Sequence, residues 1–122
     1  MSINYLNSNH VLGVQGFEKF SAPVGAIAEA LNKELEVLRN SDIKYKNLDR
    51  SVLLAMYVSR KALKKVDWDS SFGVNIGSSR GATELFEKYY DAFQSDPSGR
   101  TETLTSPTTT LGNIASWVAH DL

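Results

Sequence analysis

Between residues 23 and 38 the apolar positions Val24, Ile27, Ala28, Leu31, Leu35 and Leu38 recur at three- and four-residue intervals. This spacing predicts an amphipathic helix, with Ser21 ahead of Pro23 as its start signal and Asn40 as its stop. Upstream, Ile3, Tyr5 and the run 10–14 set β-branched or aromatic residues between polar ones. A short strand followed by turns at Gly13 and Gly16 is expected there. A second helix is predicted over 48–66, capped by Asn47 or Asp49, with Arg60, Lys61, Lys64 and Lys65 at the negative end of its dipole. Its middle, from Val52 to Val58 through Leu53, Leu54, Ala55 and Met56, has no wide polar face, so it is expected to be covered by more than one neighbour. A chain this short has little material for that, which points to a partner, either the remainder of a longer chain or a second subunit.

Phe72-Gly73-Val74-Asn75-Ile76-Gly77 has strand chemistry and runs into Ser78-Ser79-Arg80-Gly81. Helical spacing then resumes through Leu85, Phe86, Tyr89, Tyr90 and Phe93. The order helix, strand, glycine turn, helix is α/β grammar. Residues 94–107 are rich in Ser, Thr, Asp, Pro and Gly and predict a long loop. Thr108 to Thr110 are then expected to cap a last helix with an apolar face of Leu111, Ile114, Ala115, Trp117, Val118 and Leu122. No Gly, Asn or Pro stop closes that pattern, so the helix is expected to belong to a longer whole.

Composition narrows the function classes. A chain of 122 residues, 42% of them hydrophobic, is sized for one domain over 1–122. Thirteen basic and fourteen acidic residues give a net charge of -1, so no nucleic-acid partner is expected. The longest apolar stretch, 52–58, is far short of the ~20 residues that span a bilayer, so no membrane partner is expected either. The first twenty residues lack the pattern of a secretory signal, which makes a cytoplasmic location the expectation. The absence of cysteine excludes disulfides, cysteine-ligated metals and a thiol nucleophile from this stretch.

Local chemistry offers few centres. Gly77, Ser78, Ser79, Arg80 and Gly81 bring backbone N–H groups, hydroxyls and a guanidinium to a helix amino end, an arrangement able to hold a phosphate or carboxylate or simply to turn sharply. Neither the dinucleotide nor the P-loop pattern is met. His10 and His120 lie far apart in sequence and suggest no metal site. Asp42, Asp49, Asp67, Asp69, Asp91 and Asp96 fall where aspartates cap helices and shape turns. Phe86, Tyr89, Tyr90 and Phe93 sit at helical spacing and are read as core or interface.

Three blocks nevertheless resemble one family in order. Leu48-Asp49-Arg50-Ser51-Val52-Leu53-Leu54-Ala55, continuing to Ala62-Leu63, is similar to a helix of the β-ketoacyl synthases, the thiolase-fold condensing enzymes. Gly73-Val74-Asn75-Ile76-Gly77-Ser78-Ser79-Arg80-Gly81 resembles their next strand and its glycine-rich turn. The run from Ser106-Pro107 through Thr108-Thr109-Thr110-Leu111-Gly112-Asn113 to Trp117-Val118-Ala119 resembles the segment entering their dimer-interface helix. Val11-Leu12-Gly13-Val14-Gln15-Gly16 is only a loose relative of the family's opening strand and turn, a departure that a divergent branch making pigments or aryl polyenes would explain.

The resemblance implies an α/β, partial thiolase-like fold, the amino-terminal half of a synthase, ending before the catalytic cysteine. Such enzymes load an acyl group from an acyl carrier protein onto that cysteine, and two histidines promote decarboxylation of a malonyl thioester. The carbanion then attacks the acyl-enzyme and gives a 3-oxoacyl product two carbons longer. A helix amino end lowers the thiol pKa and backbone N–H groups hold the oxyanion. Neither His10 nor His120 matches the family's histidine motifs, so no catalytic residue is assigned in this chain. Thr108, Thr109, Thr110, Gly112, Asn113 and Trp117 are implied as substrate-pocket or dimer-interface residues. The implied partners are the carrier protein, through the parent enzyme, and a second copy or synthase partner; no cofactor is implied. The alternative is a complete, non-catalytic thiolase-like module with an interaction or scaffold role.

Overall fold

The computed structural model describes residues 12–64, 72–96, 98–100 and 102–122. The expected strand at Ile3 and Tyr5, together with His10, lies outside them, as do the last two residues of the predicted second helix. The chain divides into two compact units, residues 1–33 and 34–122.

In the first unit, β1 (Gly13–Gly16) and β2 (Ser21–Val24) form an antiparallel hairpin with Gly13 opposite Val24 and Gly16 opposite Ser21. The strand begins later than its predicted range, and Gly13 and Gly16 lie within it rather than making turns. The turn is instead drawn closed by the Phe17 N–H donating to the Phe20 carbonyl at 2.7 Å, with the two rings stacked at 4.9 Å. Pro23 sits in β2, so the helix predicted from 23 starts later: α1 spans Glu29–Asn40 and crosses the division between the units. Pro23 is taken up in the hairpin opposite Val14, so the helix starts after it.

The second unit holds the core. Leu35 and Leu38 of α1, Tyr45 of a 3-10 turn (Ile43–Tyr45), and Val52, Leu53 and Met56 of α2 (Arg50–Leu63) are buried together with Leu48, Ala82, Ile114 and Val118. Asp42 starts the 3-10 turn by accepting from the Lys44 N–H at 3.0 Å, and Asp49 caps α2, both as aspartates do at such ends. In α2, Val52, Leu53 and Met56 are buried and Leu54 and Ala55 half-buried, whereas Val58 is exposed. The buried residues share one face of the helix, and Val58 and Ala62 stay exposed, so the apolar middle is covered in part.

Residues 72–78, read from the sequence as a strand, are coil; among the described residues the hairpin is the sheet that forms. α3 spans Thr83–Ser95. The expected loop after it is interrupted by a short helix, α4 (Thr105–Thr109), and α5 (Asn113–Asp121) follows. Thr108 and Thr109 thus lie inside α4 rather than capping the last helix, and α5 begins after Gly112 instead. The reason is visible in the hydroxyls: Thr108 Oγ1 and Thr109 Oγ1 each donate to the carbonyl four residues back, at 2.6 Å, and are spent on α4 itself. α5 packs on α2, and α4 bridges α3 and α5.

Candidate functional site

The three blocks singled out in the sequence converge on the turn before α3. Gly81 has φ +63°, the left-handed region that favours glycine, and this turns the chain into the helix. Its N–H donates to Ser78 Oγ at 2.9 Å, so one of the two serine hydroxyls of the turn holds the bend. Its carbonyl lies 3.4 Å from the Ser51 hydroxyl in the first turn of α2. A Cβ placed on Gly81 would stand 3.4 Å from Leu111 Cδ2, 3.5 Å from Leu111 Cα and 3.8 Å from the Thr109 carbonyl. The turn therefore sits against the α4–α5 junction, with no room to spare for a larger residue.

Asp49 is the centre of this arrangement, 4% exposed. One carboxylate oxygen accepts from the Ser51 N–H at 2.8 Å and the Ser51 hydroxyl at 2.6 Å. The other accepts from the Leu85 N–H in the first turn of α3 at 3.1 Å. Ala82, which precedes α3, gives it no side-chain cap, so Asp49 serves as the cap of two helices at once. A negative charge at two positive helix ends is favourable on both counts. The place where the sequence allowed an external phosphate or carboxylate is thus filled in part by the chain's own carboxylate. Gly77, Ser79 and Arg80 remain exposed beside it, while Ser78 is half-buried.

The remaining residues fall into two groups. Asn113 is 5% exposed; its side-chain N–H donates to the Thr108 carbonyl at 2.7 Å, and its backbone N–H donates to the Thr110 carbonyl at 3.0 Å. Together these close the bend between α4 and α5. Thr110 and Gly112 are exposed, and nothing stands within 4 Å of a Cβ placed on Gly112, which leaves that position open to a neighbour. Trp117 points elsewhere. It is half-buried and meets Tyr45 edge to face, with ring centroids 6.1 Å apart, and His120 at 5.9 Å. Part of its surface is thus engaged inside its own chain.

That aromatic contact belongs to a second cluster which the sequence did not announce. The Arg60 guanidinium grips the Asp121 carboxylate through Nε and Nη2, each at 2.6 Å, and the Tyr45 hydroxyl donates to Asp121 Oδ1 at 2.6 Å. Burial alone would push the Asp121 carboxyl up, but the hydrogen bonds from Arg60 and Tyr45 outweigh it and hold the group below its ordinary value. The Tyr45 hydroxyl is pushed up, first by burial and then by its bond to Asp121. One turn earlier in α2, Tyr57 donates to Glu34, whose pKa is lowered by that bond and by Lys61. Basic residues near the end of α2 were legible as dipole partners, but their carboxylate partners lie 27 to 61 residues away and are set by tertiary packing.

Two clefts flank the site. A polar one of about 310 Å³ is lined by Arg39, Lys46, Glu84, Lys88, Tyr89 and Glu102, among others. An apolar groove of about 290 Å³ runs between residues 72–76 and the facing ends of α2 and α5, with Leu63, Val74, Ile76, Val118 and Leu122 on its walls. Among the described residues no group of three or more His, Asp or Glu side chains is placed to hold a metal ion, and no helix is long and apolar enough to cross a membrane. The chain matches no family model, no curated protein and no solved structure.

Proposed function

We propose that this chain is the amino-terminal portion of a β-ketoacyl-synthase-like condensing enzyme, one that extends an acyl thioester by decarboxylative Claisen condensation and is inactive in the form of these 122 residues alone. The supporting observation is the convergence at Gly81. The three blocks that carry the resemblance are separated by up to sixty residues in sequence, yet they meet through Asp49, Ser51, Gly81, Thr109 and Leu111.

On this reading the portion contributes walls and support rather than the reacting groups. Asp49 fixes the start of α2 against α3, the Gly81 turn seats the α4–α5 junction, and Thr110, Gly112 and Trp117 carry surface toward the acyl pocket and the subunit contact. The thioester partner is an acyl carrier protein. The nucleophile and the histidines come from outside these residues, since the chain holds no cysteine.

The purified chain, incubated with acyl and malonyl carrier-protein thioesters, is expected to form no 3-oxoacyl product. Product whose formation tracks the amount of this chain, and disappears when the chain is removed, would overturn the cysteine-dependent mechanism.

A further inference from the structure

α3 carries its aromatic residues outward. Phe86, Tyr90 and Phe93 stand four and then three residues apart, which sets them in one stripe along the helix. They are 59%, 53% and 44% exposed, and the Phe86 and Tyr90 rings lie nearly parallel with centroids 6.3 Å apart. One border of the stripe is acidic, formed by Glu84, Glu87 and Asp91, all exposed. Three large rings on an open helix face are an anchor set of the kind that seats a helix on a partner. α2 presents a second open face, bordered by the opposite charge. Leu54, Val58 and Ala62 recur every four residues; Val58 is 59% exposed, Ala62 is exposed and Leu54 half-buried. Arg50, Lys61 and, just past the helix end, Lys64 stand exposed along one border, with Lys61 also 3.3 Å from Glu34. The core of the chain uses the other side of α2, where Val52, Leu53 and Met56 are buried.

We propose that the aromatic stripe of α3 docks on the α2 face of a second copy of this chain. Charge selects that occupant. An acidic border calls for a basic one opposite it, and α2 supplies the basic border together with an apolar strip. Two α3 stripes facing one another offer no such counterpart, since both borders are acidic. Size points the same way: the small side chains of Val58 and Ala62 leave room for the rings of Phe86 and Tyr90, and large against small is how facing helices interdigitate. Each copy carries both faces, so each can give its α3 to the other and receive the other's α3 on its α2. The inference stands apart from the proposed enzymatic role and concerns the chain as it is.

Charge reversal shared between two copies separates this contact from any other. Sedimentation of the unmodified chain is expected to show self-association that weakens as salt is added. Asp91→Lys puts a cation on α3 against the basic border of α2, and Lys64→Glu puts a carboxylate on α2 against the acidic border of α3. Each variant alone is therefore expected to associate at least about tenfold more weakly. Mixed in equal amounts the two are expected to recover association, because the reversed α3 of one meets the reversed α2 of the other. Tyr90→Gln is expected to weaken association by about tenfold or more while leaving the urea midpoint of the dilute chain nearly unchanged, since its ring is exposed on its own chain. An unmodified chain that sediments as a monomer throughout the micromolar range overturns the proposal. So does a mixture that associates no better than either variant alone, because the contact is then not between these two faces.

Discussion

Asp49 does the work of two residues. An aspartate before an apolar run reads in the sequence as an N-cap, and so it is. Its second oxygen is another matter, because the Leu85 N–H it receives is 36 residues away and no local pattern announces the pairing. Replacing Asp49 with Ala removes the cap of α2 and strands a donor at the start of α3, for an expected loss of about 2–4 kcal/mol. Asp49→Asn keeps a carbonyl oxygen for one of the two helices and is expected to cost about half as much. Urea melts of the two variants against the unmodified chain check this; a loss near zero for Asn would mean that the second bond contributes nothing. The Gly81 turn shows the same division. Its sharp bend could be read from the glycines, whereas its seat against Leu111 could not.

Among the elements, the helices were more legible than the strands or the bends. α2 starts at its expected Asp49 cap, and α3 covers its expected range, although Phe86, Tyr90 and Phe93, read as core or interface, are exposed and α3 buries none of its residues. α1 was displaced by Pro23, and α4 arose within a stretch whose Ser, Thr and Pro content signals a loop. Its threonines back-bond to their own helix, an arrangement that composition does not reveal. The run 73–77, whose residues suggest a strand, is coil instead. The contact of α5 with α2 is secured by Asp121 and Arg60, and its pH dependence follows from the direction of the shift. Asp121 titrates below its ordinary 3.8 in the folded chain, so it binds protons more readily when unfolded. Its contribution is therefore complete above the ordinary value and is lost as pH falls through the lower, folded one. Asp121→Asn is expected to cost about 1–3 kcal/mol near neutrality, Arg60 being partly exposed. The gap between the variant and the unmodified chain should hold from roughly pH 5 upward and narrow below about pH 4. Thermal or urea melts across pH 2–7 measure it, and a gap that widens toward acid would reverse the assignment.

Taken together, the second unit builds a core from α1, α2 and α5 and brings three separated sequence blocks to one turn, while leaving a groove and the surface at Thr110 and Gly112 open. A reader of the sequence could name those blocks and their order. What only folding displays is that Asp49 binds the first to the second and Gly81 the second to the third. The condensing-enzyme reading makes these open surfaces the ground on which further strands, a nucleophile-bearing helix and a second subunit are laid; the alternative makes them the contact surfaces of a non-catalytic module. The coding sequence downstream of Leu122 separates the two. The account predicts that the reading frame continues into a stretch with a cysteine at the amino end of a buried helix and, farther on, two histidines. A stop codon immediately after Leu122 in the native gene would contradict it.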